Sequence, residues 1–208
     1  MSEFFEDLLL SFSRESDAHA RSEIEGRLWS QFGREVAVMV VDMSGFSSLT
    51  QRYGVVHYLS MVKRMQLTAE PVVAAHEGQV VKFEADNCFC VFPDTLRAIR
   101  AAIALNLAFD AANIVTPPEL DVRVSCGIDY GKVLLVEGQE FYGNPVNRAS
   151  KLGEDVAGPG EILVTGEAMA TVPERESIAS RPIRLTIAGI EIAASIVTYK
   201  REHPGYLS

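Results

Sequence analysis

Residues 80–92 read VVKFEADNCFCVF. Two runs of Val, Phe and Cys flank a short polar stretch, which predicts a hairpin with strands near 79–84 and 87–92. Lys82, Glu84 and Asp86 crowd its turn, where a plain Asn-Gly pair would reverse the chain at less electrostatic cost. A second carboxylate, Asp42, closes the apolar run EVAVMVVD (35–42) and is followed by Met43-Ser44-Gly45-Phe46. A strand-to-helix turn of that kind exposes backbone N–H groups that can hold phosphate oxygens, and Gly45 permits close backbone approach. Each aspartate also has a plain reading, Asp42 as a helix cap and Asp86 as a solvated turn residue. Together they say more. Two carboxylates projecting from neighbouring strand ends repel each other unless a cation lies between them. Oxygen ligands with open positions suit Mg²⁺ or Mn²⁺, and two such ions can clamp a phosphoryl group.

Composition sets bounds on the rest. The chain has 208 residues and a formal net charge of -9. That length suffices for one domain with a full apolar core. The charge argues against a nucleic-acid surface, which needs a clustered basic face, but not against a small anionic ligand held by a few local donors. No run approaches the roughly 18 apolar residues of a membrane span. MSEFFEDLLL lacks the positive start and cleavage site of a signal peptide, so the cytoplasm is the expected compartment. Cys88, Cys90 and Cys126 lie in apolar runs and read as reduced, buried hydrophobes; a Cys-x-Cys pair without a partner pair does not suit zinc. His57 and His76 lack metal-ligand spacing and read as structural.

Residues 1–32 read as helical, with stripes at Phe5, Leu8, Leu9, Phe12 and at Ile24, Leu28, Phe32. They form an expected coupling or dimerisation segment ahead of a domain over 33–208, with a partner helix covering the stripes. A long helix is predicted over 55–78, bent at Pro71 and closed by Gly78. Another spans about 94–113 with Asp94 as N-cap. LDVRVSCGIDYG (120–131) and KVLLVEG (132–138) read as a second hairpin. NPVNRASKLGED (144–155) reads as a helix with Asn144 as cap and Pro145 in its first turn, GEILVT (160–165) as a strand, and the tail as two more strands. The class is α+β or mixed α/β, one sheet with helices packed on it.

Four blocks, in this order, carry a family resemblance: VMVVDMSGFSSLT (38–50), VVKFEADNCFCVF (80–92), VSCGIDYGKVLLVEG (124–138) and FYGNPVNRASKLGED (141–155). From about residue 34 to 200 the chain resembles the class III nucleotidyl cyclases, the adenylate and guanylate cyclase catalytic domains. The resemblance implies an α+β fold, a ferredoxin-like βαββαβ palm with extra strands, acting as a head-to-tail homodimer with sites between the chains. It implies attack of a ribose 3′-hydroxyl on the α-phosphate of a nucleoside triphosphate, with two Mg²⁺ or Mn²⁺ ions per site. Under it, Asp42, Asp86 and the carbonyl of Met43 are metal ligands, and Ser44, Gly45 and Phe46 form the phosphate turn. Lys82 matches the lysine that reads adenine in adenylate cyclases, and Glu140 stands at the second base contact. Asn147 matches the ribose-orienting asparagine. Lys151 stands where the family has an arginine for the reacting phosphate, and Lys132 where some members have a triphosphate-binding arginine; Lys132 also reads plainly as an exposed hairpin lysine.

The chemistry of these residues agrees. Asn147 and Lys151 are four apart on one predicted helix and share a face. A lysine ammonium can donate to the N1 acceptor of adenine, a position that carries hydrogen in guanine. Several positions depart from the family pattern. Ala85 replaces a glycine, Lys151 lacks the planar fork of arginine, and Ala188-Gly189 stands where some members have a phosphate-binding lysine. Glu84 and Glu140 can both pair with Lys82 or contact a base. The expected activity is therefore ATP cyclisation. The alternatives are a cyclase for GTP or a pyrimidine triphosphate, and a degenerate domain that binds nucleotide and signals by dimerising.

Overall fold

The computed structural model describes residues 3–136, 140–187 and 190–199, with backbone alone at 46–49, 187 and 190. In chain order the elements are α1 (Glu3–Arg14), α2 (Ala18–Phe32), β1 (Gly33–Met43), α3 (Phe46–Tyr53), α4 (Val55–Ala75), β2 (Gln79–Glu84), β3 (Asn87–Phe92) and α5 (Thr95–Asn113). They continue as β4 (Val124–Val136), β5 (Glu140–Tyr142), α6 (Asn144–Ser150), β6 (Ile162–Thr165), α7 (Gly166–Met169), β7 (Ser180–Ile187) and β8 (Ile190–Val197). The strands form one sheet in the order β2-β3-β1-β4-β6-β8-β7, with β5 paired to β4. The unit β1-α4-β2-β3-α5-β4 is the expected βαββαβ palm, and β6 to β8 extend it.

β1 lies at the centre because Ala37 to Val41 is apolar on both faces, as a strand covered on both sides requires. One face packs against α4 and α5. Met61, Met65, Ala69 and Val73 recur every fourth residue along α4 and are buried. Ala98, Ala101 and Ala102 let α5 approach the sheet closely. Asp94 caps α5 as expected, accepting a 2.9 Å bond from the Arg97 N–H. The three cysteines lie in this core as free thiols, and burial pushes Cys126 up to about 12.

The other face carries Val38, Val40, Phe89 and Val91 beneath Val133, Phe141 and Ala149. α6 crosses it closely because two glycines meet there. A Cβ on Gly127 would stand 2.0 Å from the Ala149 carbonyl oxygen, and one on Gly153 would stand 2.9 Å from that of Val40.

Four details differ from the sequence reading. In place of the predicted hairpin over 120–138 stands a single thirteen-residue strand, β4, paired with β1 from Val124 to Leu134. Gly131 (φ 155) takes a backbone that favours glycine without reversing the chain. The eleven residues of β1 supply ladder partners past it, so Tyr130-Gly131 continues instead of turning.

The N-cap of α6 is Gly143 rather than Asn144, with Pro145 in the first turn as expected; past Ser150 the helix widens into a π-helical turn over Lys151–Val156. At the end of α4 the left-handed residue is Glu77 (φ 59), while the Gly78 N–H bonds the Val73 carbonyl. Gly78 is required for space, since a Cβ there would overlap the Phe92 ring at 2.3 Å. Lastly, Phe5, Leu8 and Leu28 are buried against Val136 and Leu134, so the chain's own β4 covers much of the N-terminal stripe. Leu9 remains 41% exposed.

Candidate active site

The end of β1 and the turn of the β2–β3 hairpin are laced together by the backbone. Asp42 stands opposite Asn87 in the ladder, and the Met43 N–H donates to the Asp86 carbonyl at 3.2 Å. That register brings Asp42 and Asp86 to one place. Burial and then the nearby Asp86 charge push the Asp42 carboxyl up to about 6; Glu154 and Asp155 add to the effect. Asp86 is also raised, by burial, against a lowering bond from its own N–H. Met43 has a buried side chain, and its N–H is taken by the bond to Asp86.

The turn beyond leads from β1 into α3, and the Ser44 N–H expected to face phosphate is already bonded. Ser44 N–H bonds the Arg123 carbonyl at 2.8 Å, and Gly45 (φ 81) is left-handed at the start of α3, where it offers no side chain to cap Phe46 and the first turn. Ala85 adopts φ 51, so the glycine-like conformation is kept without glycine.

Lys82 lies at the β2 edge. Its Nζ is 2.8 Å from Glu84 Oε2 and 3.2 Å from Glu140 Oε2, and it stands over the Phe89 ring. The bond from Glu84, seconded by Glu140, raises its pKa. β5 brings Glu140 there because Phe141 packs edge-on against Phe89. Asn147 is exposed on α6. Lys151 opens the π-helical turn and pairs with Asp155 at 2.8 Å. Lys132 is placed elsewhere. It pairs with Glu35 in the β1–β4 ladder and lines an open cleft of about 280 Å³ with Trp29, Gly33 and Arg34. Seven ladder positions separate Glu35 from Asp42, roughly 24 Å of strand. Ala188 and Gly189 lie outside the described residues.

Three residues of this pole escape a reading of the sequence. Glu154 and Asp155 are close enough to Asp42 to raise its pKa, and the π-helical turn that carries them leaves no spacing signal. Asn87 has a buried side-chain oxygen with no hydrogen-bond partner, directly across the ladder from Asp42. Among the described residues no three His, Cys, Asp or Glu side chains form a closed metal cage. The two half-buried carboxylates of Asp42 and Asp86 are hard oxygen donors of the kind that could hold Mg²⁺ or Mn²⁺ in an open site. No helix among the described residues is long and apolar enough to cross a membrane.

Comparison with known proteins places this arrangement in a family. The sequence profile described as "Adenylate and Guanylate cyclase catalytic domain" matches residues 29–199. An adenylate cyclase of Streptomyces coelicolor is 33% identical over 147 residues, 71% of this chain and 37% of that protein. A putative adenylate cyclase 3 of Rhizobium meliloti is 29% identical over 132 residues, 64% of this chain and 22% of that protein. The chain thus spans well under half the length of these relatives. In fold, it is similar to the adenylyl cyclase CyaB of P. aeruginosa, with a TM-score of 0.68 at 19% identity covering 83% of this chain and 98% of that one. An adenylate/guanylate cyclase/hydrolase from Silicibacter pomeroyi gives a TM-score of 0.66 at 24% identity, covering 81% and 99%. The chain belongs to the adenylate and guanylate cyclase catalytic domain family.

Proposed function

We propose that the chain is an adenylate cyclase, converting ATP to 3′,5′-cyclic AMP and pyrophosphate in a homodimer with Mg²⁺ or Mn²⁺, two ions per site. The observation that carries this reading is the convergence of Asp42 and Asp86, tied by the Met43–Asp86 backbone bond and visible in the raised pKa of Asp42. Ions held by those carboxylates and the Met43 carbonyl would supply positive charge to the triphosphate. In the reaction, the ribose 3′-hydroxyl loses its proton as its oxygen bonds to the α-phosphorus. Pyrophosphate leaves with the electrons of the broken P–O bond.

The other residues orient and neutralise. The backbone N–H groups that open α3 after Gly45 meet phosphate oxygens, while the Ser44 N–H stays with the Arg123 carbonyl. Lys82 donates to adenine N1, while Glu140 can accept from the adenine amino group; the ion pairs now joining Lys82 to Glu84 and Glu140 must loosen for this. Asn147 holds the ribose, and Lys151 exchanges Asp155 for the reacting phosphate. Fixed charges of this kind provide most of what phosphoryl transfer needs.

Two placements favour a shared site. Lys132 lies far from Asp42 within one chain, so it serves a triphosphate only if a second chain brings the two ends together. Val55, Val56 and Leu59 at the start of α4 are 60%, 78% and 56% exposed, an apolar run that a partner would cover.

A second reading has its own observation. Lys82 and Lys151 are both paired with acidic neighbours, as in a domain that binds nucleotide without turning it over. Incubating the protein with Mn²⁺ and ATP, GTP, CTP or UTP in turn, with product identification, separates the cases. Cyclic AMP and pyrophosphate from ATP support the proposal. ATP binding without pyrophosphate supports the degenerate domain, and GTP or UTP outpacing ATP about tenfold contradicts the role of Lys82 as an adenine reader.

A further inference from the structure

We propose that the side-chain amide oxygen of Asn87 is a further ligand of the divalent cation held by Asp42 and Asp86, an inference that rests on the metal reading above. Across the sheet, Glu84 stands opposite Asn87, Asn87 opposite Asp42, and Asp42 opposite Ser125. Residues directly opposite in an antiparallel ladder project to the same face. Asn87 and Asp42 therefore share the face that carries Val40 and Phe89, two residues further along their strands.

On that face the Asn87 oxygen is enclosed and makes no hydrogen bond. An orphaned buried acceptor is destabilising, and an ion is one of the partners that completes it. Two carboxylates stand nearest it in the ladder and the turn. Asp42 and Asp86 are carboxylates, and Glu154 and Asp155 add negative charge to the same pole. Acceptors cannot satisfy one another, whereas a cation between them satisfies the Asn87 oxygen and the two aspartates. An amide oxygen is a hard, neutral donor of the kind that Mg²⁺, Mn²⁺ and Ca²⁺ accept. It raises the ligand count without enlarging a charge that is already unfavourable. Rotating the amide would give the rival arrangement, in which the NH₂ group donates to Asp42 and merely orients it.

The test is Mn²⁺ titration of the full chain without nucleotide, read by the electron paramagnetic resonance of free Mn²⁺. Melting in chelator checks that each variant folds. For Asn87→Ala the expected result is binding weakened about tenfold, and for Asn87→Asp binding at least as tight as in the parent. Asn87→Ala binding within about twofold of the parent would overturn the proposal while leaving the metal reading intact, as would Asn87→Asp binding as weakly as Asn87→Ala. If the parent binds no Mn²⁺, or Asp42→Asn binds it equally well, the metal reading itself fails and this inference fails with it.

Discussion

Arg148 Nε stands 2.5 Å from Asp129 Oδ2, and the Asp129 carboxylate is fully buried. Thr165 donates to its other oxygen, and Arg148 also reaches Glu167 at 3.4 Å. The ion pair fastens α6 to β4, β6 and α7, and Arg148 is the immediate neighbour of Asn147. Burial raises the Asp129 pKa against the lowering bonds from Thr165 and Arg148. Removing one partner of a buried pair leaves the other charge uncompensated. Arg148→Met, which strands the fully buried Asp129 charge, is therefore expected to cost about 3–5 kcal/mol in chemical denaturation. A loss under about 1 kcal/mol, the range of a surface pair, would show that the bond does not hold α6 in place.

Asp42 predicts a dependence of stability on pH. In the unfolded chain its carboxyl ionises near 3.8, and in the folded chain at about 6. Between those values the native state holds the extra proton, so metal-free stability falls as pH rises through the window, and the penalty is complete above it. Asp42→Asn removes that penalty. Thermal melts in chelator should show the variant more stable than the parent near neutral pH and similar to it below the window. An unchanged difference at both ends would contradict the electrostatic cause. The same variant should lose Mn²⁺ binding, which separates the cost of the site from its use.

Ala85 sits at φ 51 in the hairpin turn. An L side chain pays roughly 1 kcal/mol there that glycine does not. Ala85→Gly should raise stability by about 0.5–1 kcal/mol in urea denaturation. Turnover should be kept, since the backbone conformation is already the one glycine would take. A destabilised variant would mean that the turn has no strain to relieve.

Lys82 is shared between two carboxylates, and Glu84 is the nearer. Glu84→Gln leaves the ammonium less restrained. The expected outcome is a lower KM for ATP with stability changed by less than about 1 kcal/mol, as for other exposed pairs. Lys82→Met should raise KM for ATP about tenfold or more while sparing GTP. Equal effects on both nucleotides would mean that Lys82 does not read the base.

Much of the palm was legible because its signals are local. The alternation and charges of 80–92 placed the β2–β3 hairpin to the residue, and the apolar run before Asp42 placed β1. Asp94 announced its helix through its capping chemistry. What failed depends on partners distant in sequence. Tyr130-Gly131 resembles a turn until the length of β1 is known, because the ladder continues past it only with eleven residues to pair. The N-terminal stripe showed a face to be covered, but not that β4 covers it.

The candidate site divides in the same way. Asp42 and Asp86 could be paired from sequence, since strand ends and hairpin turns are readable. Glu154 and Asp155 could not, because the π-helical turn shifts their direction without altering any spacing. Asn87 carried no signal either; only the ladder sets it across from Asp42, with its oxygen buried and without a donor.

The central claim is that Asp42 and Asp86 close on divalent ions that grip a triphosphate. Anomalous diffraction from crystals grown with Mn²⁺ and a non-cyclisable ATP analogue tests it directly. The expected result is Mn²⁺ peaks about 2.1 Å from oxygens of both carboxylates, with phosphate oxygens completing the shell. Bound nucleotide with no peak between the two side chains, or with the carboxylates turned away from each other, would contradict it.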